Sequence, residues 1–299
     1  MINLSNYRIT KQIYESKNSL VYRGICQQNN QLVILKLLRE YYPTPEELTR
    51  YQQEYEITHQ VDIDGIVSSI SLENYGNTKV IVFDDFGGDS LKIYMSQHQL
   101  TLREFLEIAI KITTCLEAIH NHNIIHKDIN PSNIIYNSQT KEIKIIDFGI
   151  STVLSRENPI FKGIDILEGT LPYISPEQTG RMNRVLDYRT DFYSLGVTFY
   201  ELLTNQLPFR ENNPLELVHS HIAKQVVAPH LINSEIPEAV SRIVMKLMGK
   251  IAEERYQSSG GIKFDLEFAL QQLITKGNIE NFDLARGDIT DKFQIPQKL

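Results

Sequence analysis

The sequence predicts an α+β chain of two lobes, a small, mostly β lobe with one helix followed by a larger, mostly α lobe. Three observations carry this. The first forty residues read as short strands and turns, apolar spacing changes from alternating to helical after Gly87-Gly88, and helical patterns then dominate as far as Leu273. A length of 299 residues suits about two domains or one large fold with two lobes.

Strands are expected at Tyr7 to Tyr14, Leu20 to Cys26 and Leu32 to Leu38, with the polar run Gln27 to Asn30 turning the chain between the last two. Thr44-Pro45-Glu46-Glu47 then supplies an N-cap, a proline at the first helical position and a carboxylate three residues after the cap, so a helix is expected from Pro45 to about Val61. Two more strands follow at Ile66 to Tyr75 and Lys79 to Phe83. A second capping box, Thr101 to Glu104, opens a helix whose apolar positions keep helical spacing to Ile119. Ile134 to Tyr136 and Ile143 to Ile146, joined at Asn137 to Thr140, read as a hairpin. Helical patterns cover Thr190 to Leu203, Pro214 to Lys224, Pro237 to Lys250 and Gly261 to Leu273, after which the pattern fades. One domain is therefore expected over residues 1–275, with lobes 1–83 and 89–275 about a hinge at 84–88, and residues 276–299 as a linker or tail.

Lysines and arginines number 30 against 37 acidic residues, a net charge of −7, and no basic stripe runs along any segment, so nucleic acid is not an expected partner. Two cysteines, Cys26 and Cys115, do not make a disulfide framework. The first residues lack an apolar signal core, and no window approaches the roughly 18 apolar residues of a membrane span, so a cytoplasmic chain without a membrane span is expected. His120, His122 and His126 have no nearby cysteine or carboxylate to complete a zinc cage. His219 and His221, two apart, do not face each other on a helix.

The chemistry concentrates in His126-Lys127-Asp128-Ile129-Asn130-Pro131-Ser132-Asn133. A carboxylate with an amide five residues on suits a loop in which one group orients a hydroxyl and the other holds a metal. Asp147-Phe148-Gly149 closes a strand nineteen residues later, and Gly169-Thr170 with Ser175-Pro176-Glu177 follow. In this order the segments resemble a eukaryotic-type serine/threonine protein kinase from about Tyr7 to Leu273, which implies the bilobal protein-kinase fold. A nearer likeness, through Asp84 to Gly88, His126 to Asn133 and Glu168 to Asn183, is to the N-terminal kinase domain of large bacterial proteins that continue into an ATPase module and a sensor histidine kinase. That likeness implies that the natural chain continues past Leu299 into downstream domains.

The resemblance implies ATP and Mg2+ as cofactors and a protein substrate. Asp128 takes the part of catalytic carboxylate, Asn133 and Asp147 those of metal ligands, and Lys36 of Val33-Ile34-Leu35-Lys36 that of the phosphate-binding lysine, with Glu54 as its helix partner. Glu54 also shares a helix face with Tyr51, Ile57 and Val61, so it is expected to point inward and to need a cation. Ile13, Val21, Ile34, Phe83 and Ile135 are the implied apolar lining of the nucleotide site, Asp84 and Phe86 its hinge, and Ser90 its ribose contact, with Asp89 the alternative. Asp191 to Gly196 resembles the buried helix that anchors the catalytic loop, and Arg255 the arginine that pairs with Glu177.

The departures are specific. The family's three roof glycines fall on Tyr14, Ser16 and Ser19; Ser16, Lys17 and Ser19 are expected to replace part of what is lost through side-chain donors. Asn130 stands where a lysine is usual, and Lys127 where an arginine is. Asp165 and Glu168 are expected to pair with Lys127 in place of a regulatory phosphate. The expected function is transfer of the γ-phosphoryl group of ATP to Ser or Thr hydroxyls in bacterial signalling. The alternatives are a pseudokinase that senses nucleotide or docks downstream domains, and a small-molecule kinase.

Overall fold

The computed structural model describes residues 4, 6–16, 18–40, 42–60, 63–153, 169–181 and 186–288. The first lobe is an antiparallel sheet of β1 (Tyr7–Glu15), β2 (Ser19–Cys26), β3 (Leu32–Leu38), β4 (Ser69–Tyr75) and β5 (Thr78–Asp84), in spatial order β1-β2-β3-β5-β4, with helix α1 (Pro45–Gln60) between β3 and β4 in the chain. α1 starts where the capping box requires: Glu47 N donates to Thr44 Oγ1 at 3.2 Å, and the Glu47 carboxylate accepts from Thr44 N at 2.8 Å. Alternation along β3 builds two apolar faces. Val33, Leu35 and Leu37 pack with Val80 and Val82 on one side; Ile34 and Leu38 pack with Tyr51, Ile81 and Phe83 on the other, against α1.

The second lobe begins with β6 (Asp89–Ser90), α2 (Leu91–Gln97) and α3 (Leu102–Asn121), then β7 (Ile124–Ile125), β8 (Ile134–Tyr136), β9 (Ile143–Ile145) and β10 (Thr152–Val153). Strands β6-β8-β9 form one small sheet and β10-β7 another. Helices α4 (Arg189–Thr204), α5 (Pro214–Ala223), α6 (Pro229–Ile232), α7 (Glu238–Leu247) and α8 (Ser259–Lys276) complete it. α4 is buried from Thr190 to Leu202, packed against α3, α6 and α7, while α8 lies on α3 and α7. A side chain at Gly196 would bring its Cβ within 2.7 Å of Leu247 Cβ, which is why α4 carries a glycine where α7 crosses it.

The β4 strand begins at Ser69 rather than Ile66, because Ile66 pairs instead with Ile145 of the second lobe. α2 is unanticipated; the Ser90 hydroxyl caps it by accepting from Ile93 N. Residues 277–288, read from the sequence as the start of a linker or tail, stay on the lobe: Ile279, Phe282 and Leu284 pack against its core, and Asp288 accepts from Gln257 N at 2.8 Å and Ser258 Oγ at 2.7 Å. Among the described residues no helix is long and apolar enough to cross a membrane.

Candidate active site

Register on the sheet pairs Lys36 with Val21 on one side and Ile81 on the other, turning the lysine toward α1. There Glu54, with a side chain only 3% exposed, lies on the inward face beside buried Tyr51 and Ile57. Lys36 Nζ donates to both Glu54 oxygens at 2.7 Å and to Asp147 Oδ1 at 3.0 Å. Burial works against the ammonium, but Asp147 and Glu54 outweigh it and hold the Lys36 pKa above the ordinary lysine value. The Lys36 charge in turn holds the Asp147 carboxyl below the usual range, outweighing the loss of solvent on the carboxylate's inner side. Burial pushes the Glu54 carboxyl up to about 7, opposed by Lys36 and reinforced by Asp147. One ammonium thus serves two carboxylates, and the Asp147 side chain remains 45% exposed. That anionic surplus is open to a cation from the cleft.

The loop between β7 and β8 holds the second group of residues. Buried Asp191 on α4 accepts from His126 N at 2.9 Å, Lys127 N at 2.7 Å and His120 Nε2 at 2.8 Å. These bonds hold Lys127 at φ 69°, a left-handed conformation that costs a non-glycine residue about 1–3 kcal/mol. His126 Nδ1 accepts from Asp128 N at 3.2 Å, so Nε2 carries the proton that is donated to Ile146 O at 3.0 Å. Asp128 is then fixed from two sides: Thr170 N donates to Oδ1 at 2.8 Å and Asn133 Nδ2 to Oδ2 at 2.9 Å. Thr170 reaches it because Gly169, at φ +100°, turns the chain as few other residues do. With its amide nitrogen committed to Asp128, Asn133 keeps its carbonyl oxygen as the free end. That oxygen and the Asp147 carboxylate are the hard donors a magnesium-sized ion takes.

The implied lining positions fall on shared surfaces. Arg23, Ile34 and Phe83 are successive register partners across β2, β3 and β5, and Ile34, Phe83 and Phe86 belong to one apolar cluster. Val21 is one pair away on the same face, opposite Lys36. Ile13 sits at the register shift of β1, between Gln12 and Tyr14. On the second lobe Ile135 pairs directly with Ser90. The hinge is held from both lobes: Arg23 Nε lies 2.6 Å from Asp85 Oδ2 and its Nη2 donates to Gly88 O at 2.9 Å, while Asn137 Nδ2 donates to Phe86 O at 2.7 Å. Asp84 accepts from Gln31 Nε2 at 3.1 Å. The Ser90 hydroxyl is engaged as the α2 cap.

The roof turn differs from the expectation that its serines offer donors to phosphate. Ser16 Oγ accepts from Ser19 N at 3.0 Å and Asn18 N at 3.3 Å and contacts Ser19 Oγ at 3.0 Å, so both hydroxyls are spent within the turn. Lys17 lies outside the described residues, as do Asp165 and Glu168; Lys127 Nζ bonds to Thr152 Oγ1. Asn130 Nδ2 reaches Thr170 Oγ1 at 3.4 Å, tying the catalytic loop to the closing motif. Sequence reasoning missed buried Glu201, which receives Lys92 Nζ at 2.6 Å and Tyr173 OH at 2.5 Å beneath the same loop. The signal was there in Glu201 itself, a carboxylate set among the apolar residues of the C-terminal half of α4.

The chain matches the protein kinase domain family over residues 7–261. A probable serine/threonine-protein kinase of Clostridium perfringens is 30% identical over 265 residues, 88% of this chain and 38% of that protein. A probable serine/threonine-protein kinase of Clostridium acetobutylicum is 29% identical, over 98% of this chain and 43% of that protein. A hybrid signal transduction histidine kinase of Dictyostelium discoideum is 34% identical over 58% of this chain but only 7% of its own length. The chain thus spans less than half of the curated relatives it matches.

Proposed function

The chain belongs to the protein kinase domain family, and from that membership we propose that it is a Mg2+- and ATP-dependent serine/threonine kinase acting on a protein substrate in bacterial signalling. The observation that carries the reading is Asp128, whose two oxygens are oriented by Thr170 N and Asn133 Nδ2, while Lys36, itself held by Glu54, donates to Asp147. When bound, Mg-ATP supplies the phosphoryl group and neutralises the charge that develops on it.

Asn133 and Asp147 would hold the metal, and the surplus negative charge of the Lys36–Glu54–Asp147 cluster suits them to it. Lys36 grips the α and β phosphates. Asp128 orients the acceptor hydroxyl and takes its proton on the carboxylate. Ile13, Val21, Ile34, Phe83 and Ile135 would line the base, the Asp84 and Phe86 hinge would meet its edge, and Ser90 would be the ribose contact. No finding favours a catalytically silent docking module, since Lys36, Glu54, Asp128, Asn133 and Asp147 are all present. Action in the cytoplasm, where ATP is supplied, belongs to the same reading. So does service as one module of a longer chain, supported by relatives that extend well beyond the matched part.

The test is purified protein with labelled ATP, Mg2+ and a protein acceptor, run beside Asp128→Ala. Phosphoserine or phosphothreonine formed by the wild type and lost in the variant is the expected result; equal labelling in both sinks the assignment of Asp128.

A further inference from the structure

α1 and the segment that follows Asp147 face each other across a cavity of about 530 Å³ lined by Leu48, Gln52, Lys79, Thr152 and Val153. Gln53, the residue before Glu54, lines the same cavity and crosses it: its Nε2 donates to the carbonyl oxygen of Ser151. Ser151 is itself fastened on its other side. Its hydroxyl donates to His126 O at 3.2 Å and its amide to Phe148 O at 3.1 Å, and the next two residues pair with β7 as Thr152 with Ile125 and Val153 with Ile124.

A side-chain amide on α1 is therefore one bond away from a backbone carbonyl that is one bond away from the loop carrying Asp128. We infer that Gln53 is a positioning residue that couples the seating of α1, and with it Glu54, to the seating of residues 151–153 on the catalytic loop. The physical basis is the address of the bond. Lys36 fixes Glu54 from the sheet side only, at a distance that any sliding of α1 would change, whereas Gln53 fixes the neighbouring residue of the same turn from the second lobe. The acceptor is a main-chain oxygen, which every residue carries, so no side-chain substitution at position 151 deletes it; the donor is the one replaceable half.

The inference deepens the phosphotransfer reading, and its test has one arm that does not need that reading. Gln53→Met keeps the length and removes the donor, and Gln53→Lys restores a donor of similar reach. In the exchange arm, amides of Ser151 to Val153 should exchange with deuterium about tenfold faster in Gln53→Met, the loss of one hydrogen bond, and near the wild-type rate in Gln53→Lys. In the kinetic arm, kcat should fall about tenfold in Gln53→Met with the Michaelis constant for ATP within about threefold of wild type, and recover in Gln53→Lys. A melting temperature shared by all three proteins separates positioning from unfolding. A wild type without phosphotransfer removes the function reading and leaves the exchange arm to decide. Wild-type exchange at 151–153 in Gln53→Met overturns the coupling whatever the turnover.

Discussion

Arg255 closes both arms of its guanidinium on Glu177, Nη1 to Oε1 at 2.6 Å and Nη2 to Oε2 at 2.9 Å. The two residues are 78 positions apart, and both are buried. The bidentate fork ties the closing motif to the turn before α8, and Thr190 Oγ1 adds a third donor to the same carboxylate at 2.8 Å.

Removing one partner strands the other charge. Arg255→Ala or Glu177→Ala should cost about 3–5 kcal/mol in chemical denaturation, whereas Arg255→Lys, which keeps the charge but loses the fork, should cost less. Burial alone would raise the Glu177 carboxyl, but Arg255 outweighs it and holds it below the ordinary range. Its contribution is therefore present above the ordinary glutamate value of 4.5 and disappears as pH falls beneath it. A wild-type stability that stays flat from pH 5 to the acid transition of the Glu177→Gln variant counts against the pair.

Lys36→Met should destabilise the first lobe by about 3–5 kcal/mol, because Glu54 is left buried without its cation. Lys36→Met combined with Glu54→Leu should recover most of that loss while activity stays absent. Asp147→Asn should abolish phosphotransfer and weaken Mg2+-dependent nucleotide binding, read by calorimetry with and without the metal. Unchanged turnover in Asp147→Asn removes the metal assignment.

The roof turn should resist nucleotide because Ser16 already accepts the amides that a phosphate would use. Freeing one amide for a charged acceptor is worth about 1.5–3 kcal/mol, so replacing Tyr14, Ser16 and Ser19 together by glycine should tighten ATP binding about ten- to hundredfold. Ser16→Gly alone should give the larger share. An affinity unmoved by the triple replacement shows that the roof never limited binding.

His221 sets a second pH window. Fully buried on α5, it is pushed down to about 4 by burial first and by the Lys250 charge second, against the weaker pull of Glu211. Below 6.5 the unfolded chain binds a proton that the native chain refuses until about pH 4, so stability falls as pH drops through that interval. Between pH 7 and 5 the loss from this group is about 2 kcal/mol. His221→Gln, which keeps an acceptor for the Tyr193 hydroxyl now bonded at 3.0 Å, should flatten that slope. An identical slope in the variant assigns the acid sensitivity elsewhere.

The pairs that obey a local rule were legible in the sequence. The pairing of Lys36 with Glu54 comes through the family resemblance, with helical facing turning Glu54 inward as its check, and both capping boxes follow from a four-residue spacing that a helix start demands. Arg255 and Glu177, far apart in the chain, came only through the family resemblance. The Ser16 hydroxyl, expected as a donor to phosphate, is spent within its own turn, because a serine donates or accepts according to a turn geometry that spacing does not reveal. α2 escaped because seven residues are too few for a periodic signal, and the apolar residues of 277–288 were hidden in a polar stretch with no period at all.

Asp191 has a consequence in time. A ribosome that has just made Lys127 must add 64 further residues before the carboxylate that bends it exists, a wait of about 3–13 s at about 5–20 residues per second. During that wait Thr152 and Gln178 are made and can bond the Lys127 side chain and carbonyl, but the acceptor of its amide is still missing. The loop that carries Asp128 therefore reaches its final geometry only once α4 docks and Asp191 accepts the amides of His126 and Lys127.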